Sequence, residues 1–268
     1  MEESRGILNG KAGEKKFCLK RYLPAKDLSF FVERYWAVSW DLREQEPYVQ
    51  EVLPYPCIHV VLEEKRSRVY GVETGRFTRL LEDKGWVFGI KFRPGGFYPF
   101  VKMPITRFTN TSVELGEIFG SDVWKVEEEI LQHGDEVRMK EVAERFLQKR
   151  LPERDENVEE VNRVVDYIVG HREVTMVEDV VGALSLNKRR LQRLFSQYVG
   201  VSPKWVIGRY RIHEAAERVA AGHRMDWTRL ALDLGYFDQA HFIKDFKAVV
   251  GQTPGEYARA VQGDEATS

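Results

Sequence analysis

The chain has 268 residues, 43% hydrophobic and 31% charged, with a net charge of −1. That length supports two domains with separate cores, and no apolar run is long enough to cross a bilayer, which excludes a membrane-spanning protein. Cys18 and Cys57 are too few for a disulfide framework and Met1–Gly10 lacks a secretory pattern, so a reducing, cytoplasmic setting is expected.

The first half reads as mostly β. A short helix is expected around Asp27–Glu33. Trp36, Val38, Trp40 and Leu42 then alternate with Ala37, Ser39 and Asp41, and Trp86, Phe88, Ile90 and Phe92 alternate with Val87, Gly89 and Lys91. Both runs have the period of half-buried strands. Shorter strands are expected at Val49–Leu53, Cys57–Leu62, Arg68–Val72 and Phe77–Leu81, with Pro54 and Pro56 breaking the chain between the first two. About six strands make a small antiparallel sheet or barrel.

From Ser112 the period turns helical. Val113–Phe119, a stretch marked by Val123, Val126 and Ile130, and another marked by Met139, Val142, Ala143, Phe146 and Leu147 form three helices before the charged stretch Pro152–Glu156. Beyond it the chain is all helix, with capping signals at Asn157/Glu160, Thr175/Glu178, Ser202-Pro203 and Asp226. The expected fold is α+β in two domains. Residues 1–115 form a β-rich regulatory domain, 116–156 a helical connector and linker, and 157–262 an all-α domain.

A repeat offset by 51 residues organises that last domain. Asn187–Phe195 aligns with Asp238–Phe246, Val199–Pro203 with Val250–Pro254, and upstream Val180-Val181 with Ala231-Leu232. Each copy is a helix, a tight turn and a second helix with one buried and one exposed stripe. That is a helix-turn-helix unit, whose second helix fits the major groove of duplex DNA. No acidic residue occurs between Asp179 and Glu214, whereas Lys188, Arg189, Arg190, Arg193, Lys204, Arg209 and Arg211 all do. Such a window attracts a polyanion.

In the first copy Arg189, Gln192, Arg193 and Ser196 fall on the exposed face. Arg189, Gln192 and Arg193 are assigned to base edges, and Lys188 and Arg190 to phosphates. Ala240 and Ile243 replace Arg189 and Gln192 in the second copy, so it is expected to dock with fewer specific contacts, through Gln239, His241, Lys244 and Lys247.

Four motifs carry a family resemblance: Leu191-Gln192-Arg193-Leu194-Phe195, Gly200-Val201-Ser202-Pro203, Leu234 to Phe242, and Gly251-Gln252-Thr253-Pro254. In these the segment Val158–Arg259 resembles the AraC/XylS family of bacterial transcription regulators. The resemblance implies two units held apart by a long helix, Ser202–Ala221, that enter successive major-groove segments. It also implies transcription activation through contact with RNA polymerase. Phe31 to Trp36 and Gly89 to Gly96 are similar to an uncharacterised N-terminal domain of some AraC-type proteins. By analogy that half senses a small molecule, mediates homodimerisation, or both.

Cys57 and His59, two apart on one strand face, are the sole hint of a metal or thiolate–imidazole site. A metal needs three or four ligands and the β half offers no other histidine, so a buried thiol beside a satisfied imidazole is the favoured reading. No cofactor, metal or catalytic set is assigned. The alternative class, an effector-binding enzyme fused to a DNA reader, would need an acid/base or nucleophile set that the first half does not display. Trp36, Tyr55, Trp86 and Arg93 are the candidate ligand-binding residues, with ordinary core packing as the competing account of the aromatics.

Overall fold

The computed structural model describes residue 13 and residues 15–132, 134–221 and 226–265. The expectation made for Met1–Gly10 lies outside them. Among the described residues eight strands occur: β1 (Cys18–Tyr22), β2 (Val32–Asp41), β3 (Tyr48–Val52), β4 (His59–Leu62), β5 (Arg68–Tyr70), β6 (Phe77–Leu81), β7 (Lys84–Phe92) and β8 (Ser112–Glu114). Six form one antiparallel sheet in the order β1-β2-β7-β4-β5-β8, and β3 pairs with β6 in a separate ribbon.

The alternation in β2 and β7 sorts side chains to two faces of the large sheet. On one face Tyr35 and Ala37 lie with Phe88, Ile90 and Phe92 in a packed core. Trp36, Val38 and Trp40 take the other face, where glycines of β7 make room for the indoles. A Cβ on Gly89 would come within 2.0 Å of the Trp36 ring, and one on Gly85 within 2.4 Å of Trp40.

Helix α1 (Tyr98–Val101) follows the turn Arg93–Gly96, and a 3-10 turn spans Ile105–Phe108. Helices α2 (Leu115–Phe119), α3 (Val123–Gln132) and α4 (Glu136–Gln148) then cover the sheet's packed face. Leu115, Val123, Ile130, Met139, Val142, Phe146 and Leu147 share one core with the strands. Within the expected connector, Val123 to Leu147 supply side chains to the same core as the strands. Two expectations are corrected. Asp27–Phe31 is a run of turns and Val32-Glu33 already open β2, with Leu28 buried and its N–H bonded to Ala25 O at 3.0 Å. Ser112–Glu114 adds an edge strand, because three residues are too few to display a period.

The remaining helices are α5 (Glu156–Gly170), α6 (Val177–Leu184), α7 (Lys188–Tyr198), α8 (Pro203–Ala220), α9 (Trp227–Asp233), α10 (Gln239–Val250) and α11 (Pro254–Glu265). Asp155, not Asn157, caps α5, accepting from Asn157 N at 2.9 Å. Ahead of α6 it is Asp179, not Glu178, that reaches back to the N–H groups of Thr175 and Met176, each at 2.8 Å. Ser202 caps α8 through Trp205 N with Pro203 in the first turn, as the sequence suggests. One core gathers α5, α6, α7 and the start of α8; a second gathers the end of α8 with α9, α10 and α11.

Candidate nucleic-acid interface

Helix α7 owes its orientation to one apolar stripe. Leu191, Leu194, Phe195 and Tyr198 are buried in the first helical core. Burying them leaves Lys188, Arg189, Arg190, Gln192, Arg193 and Ser196 exposed. Asn187 caps the helix through Arg190 N at 3.0 Å. Among the described residues Arg189, Gln192, Arg193 and Ser196 have no recorded side-chain partner, so their polar ends are free for a ligand. Lys188 instead pairs with Glu178, and Arg190 with Glu160. The Lys188 bridge is solvent-facing at both ends, so exchanging it for phosphate costs little, whereas Glu160 is 14% exposed and giving up Arg190 costs more.

The basic window is narrower in space than in sequence. Arg209 is 3% exposed; its guanidinium donates to Thr74 O at 2.5 Å, sits 4.6 Å from the Trp205 ring, and has its pKa pushed down to about 10 by burial. Arg211 is half-buried and donates to Val174 O at 3.1 Å. Neither joins the positive surface: two residues apart on α8 they face different neighbours, Arg209 the β half at Thr74 and Arg211 the loop ahead of α6 at Val174.

Helix α10 repeats the arrangement around Phe242, Phe246 and Val250, with Asp238 capping through His241 N at 2.7 Å. His241, Lys244 and Lys247 are exposed. Gln239 is half-buried and its Oε1 accepts from the Thr228 hydroxyl at 3.0 Å, while His241 lies 3.4 Å from Asp245. The upstream alignment of the two copies shifts by one residue. Leu186 N bonds to Val181 O and Tyr236 N to Ala231 O, so Val181 corresponds to Ala231 rather than to Leu232.

Residues 180–260 match a family model described as a helix-turn-helix domain. The C-terminal region is a helix-turn-helix domain of the AraC/XylS type. Upstream of this AraC-type domain, residues 20–114 match a domain of unknown function (DUF6597). An uncharacterised HTH-type transcriptional regulator of Bacillus subtilis, YtdP, is 26% identical over 172 residues, covering 58% of this chain and 22% of that protein. Another from Haemophilus influenzae is 27% identical over 85 residues, covering 32% of this chain and 28% of that one. The chain thus spans about a quarter of the length of these relatives.

Among solved structures, the C-terminal domain of AraT from Geobacillus stearothermophilus is 27% identical, with a TM-score of 0.33, covering 37% of this chain and 82% of that one. ToxT from Vibrio cholerae O395 is 14% identical with a TM-score of 0.38 over 93% of this chain and 99% of that one. No helix among the described residues is long and apolar enough to cross a membrane.

The AraC-type domain is fastened to the β half. The Tyr98 and Tyr198 rings lie 4.0 Å apart, Gln197 Nε2 donates to Tyr98 Oη at 2.6 Å, and the Thr109 hydroxyl donates to Gly200 O at 2.7 Å. On α8, His213 meets Pro54 O at 3.4 Å and its ring lies 4.3 Å from that of Tyr55.

Between the halves lies a cavity of about 1220 Å³. Its floor is the glycine-backed face of the large sheet with Trp36, Trp40 and His59, its roof the β3–β6 ribbon with Val52 and Phe77, and one wall Val165, Asp166 and Tyr210 of the AraC-type domain. Of the four candidate ligand residues, Trp36, Tyr55 and Arg93 line this space. Trp86 does not: alternation along β7 turns it to the opposite face, against the core. Sequence reasoning missed Lys91, which also lines the cavity. Its ammonium lies 4.2 Å from the centre of the Tyr55 ring and 3.0 Å from Glu33 Oε1. Burial raises the pKa of Glu33, but Lys91 and Arg34 outweigh it and hold the carboxyl below its ordinary range. The signal was present in the alternation of β7, which sets Lys91 on the face of Val87 and Gly89.

Cys57 Sγ lies 3.4 Å from His59 Nε2, and Trp36 Nε1 donates to His59 Nδ1 at 3.3 Å. The tryptophan therefore keeps the His59 proton on Nε2, the nitrogen facing sulfur. Burial pushes the Cys57 thiol up to about 12 and the His59 imidazole down to about 3. A thiolate–imidazolium pair is thereby disfavoured, and the two side chains act as packing and as cavity lining. No cluster of three or more His, Cys, Asp or Glu suited to a metal occurs among the described residues.

Proposed function

We propose that this protein is a sequence-specific transcription regulator that reads duplex DNA with α7 and α10 in successive major-groove segments. The observation carrying this reading is the free, exposed row Arg189, Gln192, Arg193 and Ser196 on a helix whose opposite stripe is buried. In this assignment Arg189, Gln192 and Arg193 meet base edges, and Lys188 and Arg190 exchange their carboxylate partners for phosphates. Gln239, His241, Lys244 and Lys247 supply the weaker second contact. The protein acts as an activator that touches RNA polymerase, as the family resemblance implies, and a homodimer would double the operator.

The interdomain cavity is the site of a small-molecule effector, with Trp36, Tyr55 and Arg93 on its wall. Aromatic surface supplies affinity for an apolar body, and Lys91 and Arg93 supply polar anchors. Selecting bound duplexes from a random pool with the full chain tests the first claim. A recovered consensus, lost in Arg193→Ala, is the expected result; binding with a steep salt dependence but no consensus would reject sequence reading. Calorimetry against a metabolite panel tests the second claim, and a binder whose heat survives Trp36→Ala would argue against this cavity.

A further inference from the structure

The two helix-turn-helix units differ by one residue in their turns. In the first, Ser185 takes the left-handed conformation (φ 52°), Leu186 follows and Asn187 caps α7. In the second, Gly235 is left-handed (φ 73°), but Tyr236 and Phe237 both precede the cap Asp238. Leu186 and Tyr236 are equivalent: each donates its N–H five residues back, at 3.0 and 2.9 Å, and each packs against its unit's core. Phe237 is therefore the inserted residue, and nothing in the core calls for it. It is 89% exposed, the most exposed large apolar side chain among the described residues.

Exposing a phenyl ring forgoes the stabilisation of burying it, so its place matters. It stands next to the N-terminal end of α10, the end that meets base edges in such units. That same helix lacks the polar groups of its twin, carrying Ala240 and Ile243 where α7 carries Arg189 and Gln192. The apolar feature that the major groove offers is the C5-methyl group of thymine.

We infer that Phe237, with the exposed Ala240 beside it, is a specificity element that packs against a thymine methyl in the second half-site. This rests on the DNA-reading function proposed above and extends it: the first unit discriminates by hydrogen bonds and the second by methyl contact.

The experiment uses the full chain and the duplex it selects. Each thymine of the second half-site is replaced in turn by deoxyuridine, which removes the methyl and leaves the pairing edge intact. At one or two positions the replacement should weaken the wild type about four-fold, the scale of one buried methyl group. Phe237→Ser should show a similar loss on the thymine duplex and no further loss on the uridine one. Because Phe237 is exposed, its removal leaves the core intact, and circular dichroism checks this.

Equal binding by Phe237→Ser and wild type, or an equal loss on thymine and uridine duplexes, overturns the inference. So does a variant that binds DNA normally but fails to activate purified polymerase, which would make Phe237 a protein contact. If the wild type selects no consensus at all, the DNA-reading function itself fails. A consensus insensitive to Phe237 removes only the present inference.

Discussion

Tyr98 of the β half and Tyr198 in the last turn of α7 lie ring to ring, 4.0 Å between centres. The Tyr198 hydroxyl donates to Asp155 Oδ2 at 2.7 Å and accepts from Asn157 Nδ2 at 3.1 Å, so one side chain joins α7, the α5 cap and the neighbouring domain. Tyr198→Ala should cost about 3–5 kcal/mol, the usual range for deleting a buried aromatic. Tyr198→Phe keeps the ring contact and should cost about 1 kcal/mol. Urea unfolding of both variants measures the difference; equal losses would show that the ring contact contributes nothing.

On the proposed function, α7 and α10 should respond unequally to truncation. Arg193→Ala should lose about 1–3 kcal/mol of specific binding and relax the preference at one base, with Lys244→Ala losing less. Lys188→Ala should weaken binding to all sequences alike and lower the salt slope by about one. Titrations against the selected duplex at several salt concentrations give both quantities, and a larger loss for Lys244→Ala than for Arg193→Ala would reverse the assignment.

The floor of the cavity depends on glycine. Gly89→Ala would set a methyl group where the Trp36 indole now lies. The indole must move into the cavity, at a cost of about 1–3 kcal/mol. Thermal unfolding should show the lowered stability, and Trp36 fluorescence a changed environment. A variant as stable as the wild type would mean that the sheet yields instead.

Acid should loosen the docking of the two halves. His213 is 4% exposed, and burial pushes its pKa down to about 3; His59 is lowered likewise. A folded-state value below the unfolded one means that, between about pH 6.5 and 3, the unfolded chain binds protons that the folded chain refuses. Stability therefore falls as pH drops through that window, by at most about 1.4 kcal/mol per pH unit for each ring. His213 contributes the larger share, because His59 faces the cavity. His213→Gln should flatten the slope of unfolding free energy between pH 6 and 4, and an unchanged slope would assign the acid sensitivity to other groups.

The helical half was the more legible from sequence, because both repeat copies pair a capping residue with apolar positions four apart. Asn187 and Asp238 cap as their positions suggest, and Leu191 and Phe242 are buried as the period demands. The β half was legible as strands but not as faces. Trp36 and Trp86 look alike in their own runs, yet antiparallel pairing of Ser39 with Trp86 puts them on opposite sides of the sheet. No local pattern encodes that register. Nor could charge counting reveal that Arg209 and Arg211 are turned inward, since their partners, Thr74 O and Val174 O, are backbone carbonyls that leave no trace in composition.

Arg209 and His213 fix the middle of α8 to Thr74 and Pro54, in two loops of the β half. In the proposed function that helix is the strut whose length and tilt set how far apart α7 and α10 land on the duplex. Its fulcrum thus belongs to the other domain. Grafting this AraC-type domain onto a foreign partner should therefore alter the tolerated spacing between half-sites even though every base-contacting residue is retained.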